Sequence, residues 1–349
     1  MRQLADGKVR APGLRQSSPI ITVASMKRGL LLCAVVVLLC WPQRSPAPLI
    51  FTPGEGWHYE TPGSEGKWQR RRAKDQLEAA QTAFDQKDYG VAAKAAKRVV
   101  QVWPFSDYAP QAQYLLGRAD EELGHDERAF KAYQKLIEKY PKLDNYEEIV
   151  RRQKVIADRF LAGKWFRAFN YVPLFPSMDK TIKMYEQILK NGPYSEAAPE
   201  AQLGIGQAHE NKLVKDYAGA AKAYERAADR YSDQKIGVDA LFRVGLAYNK
   251  QAKTAEYDQS VAAQAIATFT DFTVLNPDDP RTAEAQRLID SLRTEQARGA
   301  YETAKFYERH NRWRGALIYY NDVLNLDSNS KFAEEARRRI EAINKRTQP

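Results

Sequence analysis

Small and large residues recur along this chain at fixed offsets, and that ladder constrains its fold more than any other feature. Gly117 is followed twelve residues on by Ala129, then by Tyr133, Leu136 and Pro141 at steps of four, three and five. A tetratricopeptide helix–turn–helix unit of about 34 residues has this signature: two small residues let paired helices approach, a large one fills the space beside them, and proline stops the second helix. The ladder returns as Ala80, Ala92, Ala96, Val99 and Pro104 near the start of the repeats and as Ala304, Ala316, Tyr320, Val323 and Ser328 near the end. Between them, second helices read Thr181, Tyr185, Ile188, Pro193; Ala220, Tyr224, Ala227, Ser232; and Ala265, Phe269, Phe272, Pro277. Their first-helix small residues, Ala157, Gly206 and Gly245, stand 24, 14 and 20 residues back instead of twelve. The sequence therefore predicts an all-α tetratricopeptide-repeat superhelix of about six units over residues 68–346, three of them with lengthened inner turns.

Composition removes whole classes of function. Residues 1–47 hold seven Lys and Arg against one Asp, so the net charge of +10 leaves 47 basic and 43 acidic residues in the rest, too even for a nucleic-acid surface. Both cysteines, Cys33 and Cys40, precede the body, which therefore has no disulfide, thiolate metal site or Cys nucleophile. His58, His125, His209 and His310 are too scattered for a local metal motif. Gly163-Lys164 lacks the upstream glycine of a phosphate loop, and Gly204-Ile205-Gly206 lacks the third glycine of a dinucleotide site and reads as close helix packing. No catalytic residues, metal or cofactor are expected. A peptidoglycan-cleaving enzyme built on an α-superhelix would need a separate catalytic domain, and the repeats run almost to Pro349.

The first 47 residues read as an export signal. Met26-Lys27-Arg28 precedes the apolar run Gly29 to Trp41, which is shorter than the roughly 20 residues of a membrane span, and Met26 is a plausible true start. Cys40 at the end of that run is a candidate lipidation site that would tether the body to a membrane, although Leu39 occupies the position where such boxes carry a small residue. The alternatives are a cut after Ala47, followed by Pro48, and a plain apolar role for both cysteines. Residues 48–67, with three prolines and four glycines, read as an extended linker.

Two irregularities stand out in the body. The third unit carries an insertion at 164–177, KWFRAFNYVPLFPS, in which Trp165, Phe166, Phe169, Tyr171 and Phe175 form either an aromatic finger for a partner or membrane surface, or a loop folded back into the crevice between units. From Arg281 to Asn311 the helical pattern continues for some 30 residues, predicting a helix of about 45 Å that braces several units.

Positions six and three before, and one and four after, each first-helix small residue should line the concave face. They are Lys74, Leu77, Gln81 and Phe84; Gln111, Tyr114, Arg118 and Glu121; Arg151, Lys154, Asp158 and Leu161. Lys74, Arg118, Arg151 and Lys154 with Phe84 and Tyr114 suit a peptide carrying a terminal carboxylate and an aromatic end, unless they are ordinary solvated helix residues.

Over roughly Ala73 to Asn344 the chain resembles the BamD-type components of the outer-membrane β-barrel assembly machinery. The likeness is carried most by AQRLIDSLRTEQARGAYETAKFYERHNRWRGALIYYNDVLNLDSNSKFAEEA, with its long helix, aromatic pair Phe306-Tyr307, basic turn and closing Ala/Glu-rich helix, and by Asp158-Arg159-Phe160-Leu161-Ala162-Gly163. The resemblance implies a periplasm-facing outer-membrane lipoprotein scaffold, with an Omp85-type barrel protein and unfolded outer-membrane protein clients as partners. In that reading the N-terminal groove takes client peptide and the C-terminal units hold the barrel partner. Arg309, Arg312, Trp313 and Arg314, in the turn after the long helix, are residue types that dominate interfaces, though a solvated turn with Trp313 packed in its own unit is the alternative. A scaffold for polysaccharide export or for division and envelope coordination remains the other function open to such a chain.

Overall fold

Helices form wherever Ala, Leu, Lys, Glu and Gln run uninterrupted, and they end at the punctuation between those runs. The computed structural model describes residues 49–52, 54, 56–59, 68–168, 172–254 and 259–347. Residues 1–47, with Met26, Cys33 and Cys40, lie outside the described residues, as do residues 60–67 of the linker and Phe169 and Tyr171 of the insertion.

The described residues contain thirteen helices, twelve of them in consecutive pairs. Helix α1 (Ala73–Asp85) pairs with α2 (Tyr89–Val102), α3 (Ala109–Glu122) with α4 (Asp126–Lys139), and α5 (Tyr146–Leu161) with α6 (Met178–Asn191). The series continues with α7 (Ala198–Glu210) and α8 (Tyr217–Arg230), α9 (Lys235–Thr254) and α10 (Gln259–Leu275), and α11 (Thr282–Arg309) and α12 (Trp313–Leu326). Helix α13 (Lys331–Thr347) covers the last pair. The fold is an all-α tetratricopeptide superhelix with six helix pairs.

The small–large ladder is the packing itself. A Cβ added at Gly117 would stand 2.5 Å from the Tyr133 ring, one at Gly206 2.3 Å from Tyr224, and one at Gly245 2.6 Å from Phe269. Gly204 gives the same close approach, 2.6 Å, to Tyr185 of the preceding unit, so the Gly-Ile-Gly pair is indeed helix packing on both sides. Tyr133, Tyr185, Tyr224, Phe269 and Tyr320 are completely buried, as are Ala80, Ala96, Ala129 and Ala316. In the first unit Ala96 takes the place of the aromatic, and the pair closes on smaller side chains.

Five inner turns share one device. The chain leaves the first helix through a single residue with left-handed φ: Lys87 (62°), Gly124 (70°), Gly163 (102°), Lys215 (52°) or Asn311 (57°). The next amide then donates five residues back, Asp88 to Ala83, His125 to Asp120, Lys164 to Arg159 and Arg312 to Tyr307, which satisfies a carbonyl the helix end leaves open. In the fourth unit, whose turn is two residues longer, the Asp216 N–H reaches the His209 carbonyl instead.

The fifth unit departs from the expected long turn. Its extra residues extend the helices: α9 runs nine residues past Gly245, and α10 begins six residues before Ala265. The 28-residue α11 is the brace that the pattern predicts, about 42 Å long. Its first half supplies Ala285, Ile289 and Leu292 to the Phe242–Phe269–Phe272 core, and its second half supplies Ala297 and Ala304 to the core around Tyr320.

Among the described residues one hairpin precedes the helices and another interrupts them. Strands β1 (Leu49–Thr52) and β2 (Gly56–Tyr59) pair within the stretch expected to be an extended linker, Phe51 and Trp57 stand 5.4 Å apart, and the Asp107 N–H donates to the Gly54 carbonyl. Strands β3 (Phe166–Ala168) and β4 (Val172–Phe175) form an antiparallel hairpin from the insertion. Its Phe166 is buried and stacks on Phe160 of α5 at 4.1 Å, with Lys180 Nζ 4.9 Å above the ring, whereas Trp165 is exposed.

Candidate binding groove and interface turn

First-helix side chains of units one and two leave a groove of about 730 Å3 between α1 and α3, bordered by the α4–α5 turn. Leu77, Gln81 and Phe84 of α1 face Gln111, Tyr114 and Arg118 of α3, so six of the positions counted from Ala80 and Gly117 meet here. The Arg118 guanidinium lies 5.3 Å from the Phe84 ring and 6.0 Å from the Tyr114 ring, and its Nη1 donates to the Tyr114 hydroxyl at 3.4 Å. Its Nε is buried without a hydrogen-bond partner among the described residues, an arrangement that costs free energy unless a ligand or water supplies an acceptor. Glu78, Asp107 and Asp144 stand around the same groove with Lys142, making it mixed in charge rather than basic throughout.

Tyr114 is fixed from the other side. Its hydroxyl donates to Glu148 Oε1 at 2.7 Å, and Arg152 pairs with the same carboxylate at 3.0 Å. The Tyr114 hydrogen bond, then Arg152, hold the Glu148 carboxyl below the usual glutamate range, against the opposing effect of burial.

The other three expected groove cations lie elsewhere. Lys74 is exposed and 3.9 Å from Glu78, one helical turn on. Arg151 is exposed on α5 and does not line the groove. Lys154 is mostly covered and links units three and four, pairing with Asp158 at 3.0 Å and with Glu200. Burial alone would lower its pKa, but hydrogen bonds to Glu200 and Asp158 raise it, so this ammonium is already neutralised within the fold.

Carboxylates behind the groove tie the units together, among them Glu121 and Asp158, which the ladder had counted toward the concave face. Glu121 accepts from Tyr133 at 2.9 Å and pairs with Arg152 at 3.3 Å and Arg159 at 3.1 Å. The fully buried Asp126 carboxylate pairs with Arg159 at 2.9 Å and Lys164 at 2.5 Å, tying the foot of the insertion to unit two. The same carboxylate–tyrosine bond recurs from Tyr185 to Asp158, Tyr224 to Glu210 and Tyr320 to Glu308, at 2.7, 2.7 and 2.6 Å. Its signal in the sequence is an acidic residue four positions after the small one, as at Glu121, Glu210 and Glu308.

At the other end of the array, Arg309, Arg312 and Arg314 are exposed around the α11–α12 turn. Trp313 is half-buried against the terminal core, with Arg346 of α13 4.8 Å above its ring. Beside these arginines Phe306 is 53% exposed, with His310 4.3 Å away and the Tyr307 ring set edge-on at 5.9 Å. This turn therefore presents cations around an exposed aromatic, while its tryptophan braces the last helix.

Residues 176–348 match the model of a family described as outer membrane lipoprotein, YfiO, and residues 111–142 match a tetratricopeptide repeat model. No curated protein matches the chain. A TPR repeats protein from Bacteroides fragilis is similar in structure at 14% identity, over 78% of this chain and 99% of that one, with a TM-score of 0.38. The C-terminal part of a TPR repeat-containing protein from Cytophaga hutchinsonii is similar at 13% identity, over 76% and 87% of the two chains, with a TM-score of 0.36.

Proposed function

We propose, on the premise that residues 176–348 belong to the outer membrane lipoprotein family YfiO, that this envelope tetratricopeptide scaffold works without catalysis in the assembly of outer-membrane β-barrel proteins. Cys40 would carry the lipid that holds it at the outer membrane, facing the periplasm. The groove between units one and two takes the C-terminal segment of an unfolded client, and the α11–α12 turn retains an Omp85-type barrel partner. No helix among the described residues is long and apolar enough to cross a membrane, so a tether would lie upstream of the repeats.

The observation that carries the client half of this reading is Arg118. A guanidinium sandwiched between Phe84 and Tyr114, with one buried donor unsatisfied and a groove open above it, suits a carboxylate beside an aromatic side chain. For the partner half, the supporting features are the three exposed arginines and the exposed Phe306 inside the family-matched segment.

The two halves are tested separately. Arg118→Gln should weaken binding of a peptide ending in an aromatic residue with a free carboxylate about tenfold, and amidation of that carboxylate should do the same to the parent protein. Arg309→Glu with Arg312→Glu should release the barrel partner in pull-downs from native membranes and leave the peptide titration unchanged. If either variant impairs both activities while its melting is unaltered, or if polymer-export or division components co-purify in place of a barrel protein, the assignment fails.

A further inference from the structure

A second groove, of about 890 Å3, opens on the opposite side of the first two units, between their second helices. Lys94 and Lys97 line it from α2, and Arg128, Lys131, Lys135 and Lys139 line it from α4. The α4 residues are spaced three, four and four apart, which puts them in one stripe about 17 Å long. Six cations thus face one another across a single depression in a body whose charge is otherwise nearly balanced. Lys94, Lys131, Lys135 and Lys139 are exposed and make no ion pair among the described residues. Among the described residues the only acidic one lining the groove is Asp120, a buried carboxyl that burial pushes above its ordinary pKa and that is hydrogen-bonded to His125.

The floor has a different chemistry. Val100 of α2, Leu116 of α3 and Leu123 after it are incompletely covered, Leu123 being 38% exposed. Apolar floor and basic walls together match an elongated ligand that is apolar along one edge and anionic on both flanks. A flat bilayer would meet the lysine tips and leave the floor uncovered, whereas a helix ridge reaches both.

We propose that this groove is a docking site for an acidic amphipathic helix of three to four turns from a partner protein, with aliphatic residues on the floor and Asp or Glu against the two basic stripes. The site is separate from the Arg118 groove and from the α11–α12 turn, and it does not depend on the role assigned to either. Because its walls repel each other when empty, binding should be strongly salt-dependent, strengthening as ionic strength falls.

The test uses the full chain and a fluorescent synthetic peptide with leucines at helical i, i+3, i+4 and i+7 spacing and glutamates on both flanks. Its control is a scrambled peptide of identical composition. Anisotropy titration should give binding at least about tenfold tighter for the patterned peptide, lost when Lys131→Glu and Lys135→Glu are combined and reduced in steps by Lys131→Gln and Lys135→Gln. Lys74→Glu with Arg151→Glu, exposed cations outside the groove, should leave it unchanged. Equal binding of both peptides would overturn the proposal by showing charge attraction without a groove. Loss of sedimentation with phosphatidylglycerol vesicles in the Lys131/Lys135 variant, with peptide binding intact, would overturn it in favour of a membrane surface. Melting and helicity of the two Gln variants guard against loss of fold as the cause.

Discussion

Units four and five solve the same packing problem with different chemistry. In both, a glycine lets an aromatic ring touch the backbone of its partner helix, Gly206 against Tyr224 and Gly245 against Phe269. Unit four then ties that ring: the Tyr224 hydroxyl donates to Glu210, which also pairs with Lys250 at 2.9 Å. Unit five has neither hydroxyl nor carboxylate, since Phe269 stands at the tyrosine position and Asn249 four residues after the glycine. It gathers Phe242, Phe269 and Phe272 into one cluster and covers them with α11. A clamp closes that joint, where Arg281 stacks on Phe242 and Phe272 while pairing with Asp279 at 2.8 Å and Asp239 at 2.7 Å. Close backbone approach is thus the shared requirement of a unit, and the polar tie is one of two ways to hold it.

The largest effect should come from breaking what the two units share. Gly206→Leu and Gly245→Leu both force a side chain into space occupied by a ring, and each should cost about 3 kcal/mol in denaturant unfolding. If one of them melted like the parent, the contact would not be common to both.

A smaller effect should separate them. Tyr224→Phe leaves the half-buried Glu210 with Lys250 alone as partner among the described residues and should cost about 1.5 kcal/mol. Phe269→Tyr alone should destabilise unit five, because no carboxylate awaits the hydroxyl, and adding Asn249→Glu should recover about 1 kcal/mol of the loss if the tyrosine tie transfers. Hydrogen exchange of the α9–α10 amides would localise the change, since repeat arrays unfold in parts.

The smallest effects concern pH, and the two solutions should fail at opposite ends. Burial first, then the neighbouring carboxylate, raises the phenol pKa of Tyr133, Tyr185, Tyr224 and Tyr320 above the ordinary value. A folded-state pKa raised above the unfolded one gives stability that is complete below the unfolded value near 10 and is lost as pH rises further. Tyr224→Phe should therefore lessen the alkaline loss. Hydrogen bonding to Arg281 lowers Asp279 from 3.8 to about 2, so its contribution is present above pH 4 and is lost as pH falls through 2. Asp279→Asn should flatten the acid arm of the melting curve and leave the alkaline arm unchanged.

Much of this was legible along the chain. The offsets from Gly117 to Pro141 and their recurrences place all six helix pairs, because one steric rule repeats and each instance marks itself with a small residue, a helix stop and, in every unit but the first, a ring. The turn at Lys87, Lys215 and Asn311 was less visible, since three of its five left-handed residues are not glycine. In unit five the spacing announced extra residues but not that they would lengthen α9 and α10, a choice made by the aromatic cluster those helices bury. Among the groove candidates, Phe84, Tyr114 and Arg118 converge because their helices are adjacent, while Lys154 is drawn to Glu200 of the next unit.

What the sequence by itself determined is therefore the local unit and its number. Those depend on contacts within about 34 residues, where spacing along the chain and distance in space correspond. Tertiary structure decided which cations stay free and which are neutralised. Lys154, Arg159 and Lys164 meet carboxylates 33 to 46 residues away, and the lysines of α2 and α4 face one another only because successive units stack. A charge on a helix surface carries no mark of what the neighbouring unit will bring to it, so the binding character of each groove emerges only when the units are packed together.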